Sequence, residues 1–148
     1  MCLIIDANVV SRVFKGEGDP DFANLHGYLF GTGGIRVAIR YGGKLRREYE
    51  RVTWIRSVLR ILDQAGRAII EPDEGVDAET KKVKASGLCS SDDEHVIALA
   101  RVSGVRALCS HDKALHTDFT TKELIDVPRG RVYQNGKHDH ILRECCSE

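Results

Sequence analysis

The chain has 148 residues, of which 42% are hydrophobic and 30% are charged. This composition is typical of one globular domain over residues 1–148, and it excludes disordered, collagen-like and membrane-spanning proteins. The 22 basic residues equal the 22 acidic ones, so the net charge gives no indication of a polyanionic or membrane partner. The five cysteines lack CxxC spacing and no secretory signal is evident, which favours a cytoplasmic protein with reduced thiols.

Short apolar runs bounded by turn residues predict the strands of a parallel sheet. They lie at residues 3–5, 35–39, 68–70 and 104–109, with a weaker fifth run at 124–127. Apolar residues spaced three and four apart predict an amphipathic helix over 45–65, and the charged segment 73–84 predicts a short surface helix or a loop. This alternation indicates an α/β fold with a central parallel sheet flanked by helices, in which ligands gather at the carboxyl ends of the strands.

An acidic segment stands before a run of strong helix formers. Ser91 precedes Glu94 by three positions, which is the spacing of a capping box. We therefore expect Ser91 to be the N-cap, with Asp92 and Asp93 in the first helical turn. Acids are favoured there by about 0.3–1 kcal/mol through the helix dipole, so a purely structural role stays open for this segment.

Two further acids follow predicted strands. Asp6 comes directly after the first strand, and Asp112 comes shortly after the fourth, preceded by His111. Because the carboxyl ends of parallel strands meet at one edge of the sheet, we expect Asp6, Asp93 and Asp112 to converge. Carboxylates about 4 Å apart repel by roughly 1 kcal/mol in water and by more near a protein surface. Mg²⁺ or Mn²⁺, which prefer carboxylate and water oxygens, are the expected counter-ions.

The order and spacing of these segments resemble the three acidic motifs of PIN-domain nucleases. The motifs are Ile-Ile-Asp-Ala-Asn-Val around Asp6, Asp-Glu-His-Val-Ile-Ala from Asp93 and Ser-His-Asp-Lys around Asp112, and the resemblance spans residues 1–119. It implies a three-layer Rossmann-like domain and metal-dependent hydrolysis of RNA phosphodiester bonds. The family usually adds an acid from the helix after the second strand, where Glu48 and Glu50 are available. Glu48 lies beside the apolar stripe of that helix and is preferred.

The resemblance implies a role for each of these residues. The catalytic and metal-binding acids, for one or two Mg²⁺ or Mn²⁺ ions, would be Asp6, Glu48, Asp93 and Asp112. Asn8 and Ser110 would stand behind them and orient water or ligand carboxylates. Asp92 is placed behind the ligands as well, as a reserve acid that most simply serves the helix dipole, and Asp118 is a further reserve acid. His95 and His111 are expected at the surface or behind the ligands, although contact of His111 with metal or substrate stays open.

Positive charge is concentrated in one stretch of the chain. Residues 36–67 carry nine basic and three acidic side chains, an excess of six positive charges. A basic surface beside an acidic edge would attract a polyanionic strand and make its binding depend on salt. The predicted nucleic-acid-binding residues are Lys44, Arg46, Arg47 and Arg51. A solvated arginine-rich face without a ligand is the alternative.

The predicted function is that of a metal-dependent ribonuclease with an RNA substrate. The alternative is a catalytically inactive PIN-like module that binds RNA or a protein. A phosphorylated receiver domain is disfavoured, because its phosphoacceptor Asp and late Lys are not evident in the expected places. A toxin of the VapC type, held by a small antitoxin protein, and a nuclease of RNA processing or defence both stay open. A homodimer is a further implication of the resemblance.

Overall fold

The computed structural model describes residues 2–31 and 33–146. The strands are β1 (Cys2–Ile5), β2 (Arg36–Ile39), β3 (Ala68–Ile70), β4 (Ala107–Cys109) and β5 (Arg131–Tyr133). The helices are α1 (Val10–Lys15), α2 (Ala23–Phe30), α3 (Gly43–Tyr49), α4 (Ile55–Gln64), α5 (Asp73–Ser86), α6 (Glu94–Ser103), α7 (Lys113–Thr120) and α8 (Asp139–Cys146). A short 3₁₀ turn, Gly136–His138, precedes α8. No helix in these two ranges is long and apolar enough to cross a membrane.

The strands form one parallel sheet in the order β3-β2-β1-β4-β5. The chain moves outward from β1 to β3 and then returns to the other side of β1 to form β4 and β5. The strand order therefore reverses between β1 and β4, the place where open parallel sheets bind ligands. Ile5 lies opposite Cys109 there, and the N–H of Asp6 donates to the Cys109 carbonyl at 2.9 Å. The predicted α/β fold, a Rossmann-like sheet flanked by helices, is confirmed.

The core lies on both faces of the central strands. Leu3, Ile4 and Ile5 of β1 are at most 2% exposed, which is the burial expected of a parallel strand covered by helices. Helix α6 buries six consecutive residues from His95 to Ala100, so it lies within the core instead of presenting one face to it. The residues of the edge strand β3 are only half-buried.

The predicted helix over 45–65 is wrong in one respect, because it is divided into α3 and α4. Between the two helices, the N–H of Val52 bonds to the Tyr49 carbonyl at 2.9 Å and the N–H of Ile55 to the Val52 carbonyl at 3.1 Å. These bonds span three residues instead of four. Successive turns of this kind keep apolar residues three positions apart. The helical spacing of apolar residues therefore continues through the segment that separates α3 from α4.

The predicted fifth strand at 124–127 is also wrong. Leu124 and Ile125 are buried, but their N–H groups both bond back to the Thr121 carbonyl, at 3.1 and 2.9 Å. The segment is therefore a turn with two apolar side chains in the core. The fifth strand is Arg131–Tyr133, whose N–H and carbonyl groups extend the sheet beside β4.

The charged segment at 73–84 is helical and longer than expected. Helix α5 has 14 residues and packs on α6. Its buried residues, Val76 and Val83, are seven positions apart and so lie on one face. Two valines in 14 residues give a weak apolar pattern, which is why the sequence left helix and loop open.

Candidate active site

The reversal in strand order brings Asp6, after β1, next to Ser110, after β4. The Ser110 hydroxyl donates to Oδ2 of Asp6 at 2.7 Å and accepts from the N–H of Asp112 at 3.0 Å. Ser110 is fully buried and Asp6 is 6% exposed. Burial raises the pKa of Asp6 above its ordinary value, although the hydrogen bond from Ser110 acts in the opposite direction. One hydroxyl thus positions two acids from distant parts of the chain.

Asp112 is the N-cap of α7. Its Oδ1 accepts from the N–H groups of Ala114 at 3.0 Å and Leu115 at 3.3 Å. This is the structural role that a short acidic residue commonly has at a helix start. In the part of the chain that the structure describes, the hydrogen bonds of this carboxylate go to Oδ1. Oδ2 is therefore left for a ligand.

Glu48 reaches the same edge of the sheet from α3. The neighbouring Tyr49 is 1% exposed, and its hydroxyl donates to the main-chain carbonyl of Ile5. Ile5 immediately precedes Asp6, so this bond ties α3 to the end of β1. Glu48 is consequently held beside Asp6.

Asp93 lies at the N-terminus of α6 as its N-cap, and its side chain makes no capping hydrogen bond. Burial raises the pKa of Asp93 to about 6, and the negative charges of Asp6, Asp112 and Glu48 act in the same direction. Lys44 acts in the opposite direction. The four acids predicted from the sequence therefore interact electrostatically.

These acids share a cavity of about 370 Å³, which we call the acidic cavity. It is lined by Asp6, Ala7, Asn8, Glu48, Arg51, Val52, Asp93 and Asp112. Glu50, the alternative to Glu48, does not line it and pairs instead with Arg46 at 3.3 Å and Arg56 at 3.1 Å. The structure thus places the four predicted acids and Asn8 together, with Ser110 bonded behind two of them.

The donor chemistry of the acidic cavity fits Mg²⁺ or Mn²⁺, because its charged oxygens are all carboxylate oxygens. Within residues 2–31 and 33–146, however, no three His, Cys, Asp or Glu side chains lie close enough together to hold a metal ion. Ionised carboxylates repel one another, so contact with one ion requires rotation of these side chains toward it.

The predicted capping box is wrong. Helix α6 begins at Glu94 with Asp93 as its N-cap, so Ser91 and Asp92 precede the helix. The Ser91 hydroxyl donates to the carboxylate of Asp118 instead. An ionised carboxylate is a strong acceptor for the hydroxyl proton, and the hydroxyl oxygen accepts from the N–H of Asp93 at 3.3 Å, ahead of the helix.

Asp118 on α7 holds the loop that precedes Asp93. Its carboxylate is 1% exposed and accepts from the N–H of Ser90 at 2.8 Å, the hydroxyl of Ser90 at 2.9 Å, and the N–H of Ser91 at 2.9 Å, besides the Ser91 hydroxyl. Burial by itself raises the pKa of Asp118, but these hydrogen bonds together outweigh it and lower the pKa below its ordinary value. Asp118 is therefore a structural acid and does not line the acidic cavity.

No family model, curated protein or solved structure matches this chain. The resemblance to PIN-domain nucleases accordingly stays a prediction from the three acidic segments.

The four predicted nucleic-acid-binding residues do not share one surface. Arg51 lines the acidic cavity. Arg46 has a side chain only 13% exposed, and it pairs with Glu50 and donates to the Arg40 carbonyl at 3.4 Å. Lys44 and Arg47 line a second cavity of about 530 Å³. These four residues are therefore divided between two cavities and one ion pair.

We call this second cavity the basic cavity. Its lining includes Lys44, Arg47, Asp92 and three residues that the sequence analysis did not assign to binding: Arg40, Lys84 and His95. Arg40 is bound by Asp73 at 2.6 Å and by Asp77 at 2.8 Å. Gly43 also lines this cavity with a φ of +86°, and a β-carbon at Gly43 would lie 2.8 Å from the Arg40 guanidinium carbon. Only glycine fits there without displacing Arg40.

Neither predicted histidine lines the acidic cavity. His111 is exposed, stacks on Phe22 with ring centroids 5.2 Å apart, and places Nε2 2.9 Å from the Gln134 carbonyl. His95 is buried, and burial, followed by the nearby Lys44 and other cations, lowers its pKa to about 4. His95 is therefore neutral at pH 7.

In metal-free buffer, we expect Asp93→Asn to raise the melting temperature near pH 7.5 and to lose this advantage near about pH 4. The pKa of Asp93 rises from an ordinary 3.8 to about 6 in the folded protein, so the native state takes up a proton between these values. Its stability therefore falls as the pH rises through about 6, and asparagine avoids this loss. Thermal melts in EDTA measure the effect, with Asp63→Asn as an exposed control that should change little. If the Asp93→Asn protein melts no higher than wild type at neutral pH, the repulsion between Asp93 and the neighbouring acids is contradicted.

Proposed function

We propose that the protein is a metal-dependent phosphodiesterase that cuts single-stranded RNA in the acidic cavity. The observation that carries this proposal is the origin of the four acids in four separate segments. They come from the end of β1, from α3, from the start of α6 and from the loop after β4. A helix-capping role can explain a single acid at a helix start. It does not explain why all four acids converge where the strand order reverses.

The residues of the acidic cavity suit this chemistry. A bound Mg²⁺ or Mn²⁺ ion would lower the pKa of a water molecule and neutralise charge on the scissile phosphate. Asp6 and Asp112 present carboxylate oxygens at positions set by Ser110. Asp93, with a pKa of about 6, is mostly ionised at pH 7, so a proton competes for its oxygens only in more acidic solution. Arg51 supplies a guanidinium that can bind a phosphate oxygen.

RNA as the substrate comes from the resemblance to PIN-domain nucleases. Arg51 in the acidic cavity and the cations of the basic cavity support a polyanionic strand, because unpaired cations attract phosphates. The small antitoxin partner and the homodimer stay predictions of the same resemblance.

One observation favours a second function, that of a catalytically inactive module that binds RNA or a protein. No three potential ligands in the described ranges are arranged around a common metal position. An inactive module would keep the fold and the basic cavity but would not respond to metal.

The test is incubation with mixed-sequence single-stranded RNA in millimolar Mn²⁺ or Mg²⁺, with EDTA as the control. We expect cleavage only with metal, together with a higher melting temperature. An ion that binds only the native state stabilises it by about 2.7 kcal/mol at a hundredfold excess over Kd, which raises the melting temperature by roughly 5–10 °C. Absence of both effects would reject the nuclease and its metal site, and a melting shift without cleavage would reject the nuclease while keeping the metal site.

A further inference from the structure

We propose that the basic cavity binds a phosphate group of the strand whose neighbouring phosphate lies in the acidic cavity. The substrate is then a strand with at least two consecutive phosphates and not a mononucleotide. This inference rests on the proposed function, since that function gives the strand its place in the acidic cavity. The basic cavity, of about 530 Å³, lies within the usual size range of ligand sites, ~300–1,000 Å³.

Three cations of the basic cavity have no acidic partner. Across the described residues, Lys44, Arg47 and Lys84 form no ion pair, whereas Arg40 is held by two aspartates. The amine of Lys44 donates to the main-chain carbonyl of Asp92 at 2.9 Å, which holds it at the rim of the cavity without neutralising its charge. Unpaired cations that converge on a concave surface form a site for an oxyanion.

His95 supplies a second, independent observation. It lines the basic cavity and is 9% exposed, and its Nε2 has no hydrogen-bond partner within residues 2–31 and 33–146. Buried polar atoms are nearly always hydrogen-bonded in folded proteins, so this nitrogen lacks a partner that the described residues do not supply. Because the nitrogen is itself covered from solvent, a phosphate oxygen in the cavity would accept a hydrogen bond from it once the His95 ring turns toward the cavity with Nε2 carrying the ring proton.

The two cavities lie side by side along α3 and the start of α6. On α3, Lys44 and Arg47 line the basic cavity, and the next residue, Glu48, lines the acidic one. Before α6, Asp92 lines the basic cavity and Asp93 lines the acidic one. Because consecutive residues line different cavities, the two cavities adjoin, and one strand can extend from one cavity into the other.

The charge of the basic cavity favours a strand over a free anion. Asp92 and Glu94 also line the cavity, so the three unpaired cations leave only a small positive excess. A free phosphate ion therefore gains little attraction. A strand is held additionally by Arg51 in the acidic cavity, and linked contacts raise the effective concentration of each phosphate at its site.

The test measures binding of a labelled single-stranded RNA of about eight nucleotides by fluorescence anisotropy, in EDTA and at several salt concentrations. We expect Lys84→Gln to weaken binding about 3- to 10-fold and to reduce the salt dependence by about one phosphate contact. Lys81→Gln is the matched control, because it removes the same charge from the same exposed side of α5 without lining the basic cavity. It should bind within about twofold of wild type.

Arg47→Gln should reproduce the loss from the side of α3, and both positions are exposed, so the fold should be unaffected. If Lys84→Gln and Lys81→Gln weaken RNA binding equally, the attraction between the protein and RNA is diffuse and the proposal is overturned. The proposal is also overturned if Lys84→Gln does not weaken RNA binding. Binding of inorganic phosphate alone, lost in Lys84→Gln, together with RNA binding that Lys84→Gln leaves unchanged, would overturn the strand as occupant and assign the cavity to a free anion. Because metal is absent, these outcomes do not depend on cleavage, and failure of the proposed function would appear only in the metal-dependent assay.

Discussion

Asp6→Asn is expected to lower metal-dependent RNA cleavage by about 10²–10³-fold while the protein stays folded. The amide keeps the shape of the carboxylate and can still accept the hydrogen bond from Ser110, but it has lost the charge that would hold a cation. Initial cleavage rates in Mn²⁺ measure the loss, and circular dichroism with thermal melts checks the fold. Asp112→Asn should behave alike, because an amide oxygen can still cap α7.

Glu48→Gln and Glu50→Gln provide a matched pair for the same assay. Glu48 lines the acidic cavity, whereas Glu50 lies outside it in ion pairs with Arg46 and Arg56. We therefore expect a large loss of activity for Glu48→Gln and little change for Glu50→Gln. The double change of Asp6 and Asp112 to Asn should be no worse than either single change, because residues that act as one unit are not additive. An Asp6→Asn protein that retains near wild-type activity would reject the acidic cavity as the active site.

Asp118→Ala is expected to cost about 3 kcal/mol of unfolding free energy, which lowers the melting temperature by roughly 6–12 °C. The substitution removes a buried carboxylate and leaves the hydroxyl and N–H donors of Ser90 and Ser91 without their acceptor. Ser91→Ala removes one of these donors and should cost less, about 1 kcal/mol. Chemical denaturation at pH 7 measures both changes.

The pH dependence of this effect has a definite sign. The pKa of Asp118 is lowered in the folded protein, so its contribution to stability is present above the ordinary carboxyl pKa and is lost as the pH falls through the lowered value. The difference between Asp118→Ala and wild type should therefore shrink in strongly acidic solution. A difference at neutral pH no larger than that of Ser91→Ala would contradict the anchoring role.

Local patterns in the sequence were sufficient to locate the strands that carry the acids. The apolar run before Asp6 has the burial of a central parallel strand, and an acid directly after such a run must lie at the carboxyl edge of the sheet. The apolar run of β4 likewise predicted that Asp112, which follows it, lies at the same edge of the sheet. These inferences need only the neighbours of each residue along the chain.

The wrong predictions have two causes. Some residues bond to partners that are distant in sequence, and some sequence patterns are compatible with two different local structures. The hydroxyl of Ser91 matches a capping box, and only the fold brings Asp118 to it from 27 positions away. Residues 124–125 are apolar whether they form a strand or a turn with its side chains in the core. Nothing in the sequence marked Lys84 as a binding residue, because the cavity that it lines forms only where α5 packs beside α6.

The bond between Ser110 and Asp6 joins residues 104 positions apart, and this separation has a consequence for synthesis of the chain. Contacts between distant residues form late, because the intervening loop must be closed first. Strands β1 to β3 can pair while the ribosome is still adding the rest of the chain, but the acidic cavity lacks Asp112 and Ser110 until β4 emerges. Under the proposed function, a nascent chain would therefore be unable to attack the messenger RNA that encodes it until β4 has emerged from the ribosome.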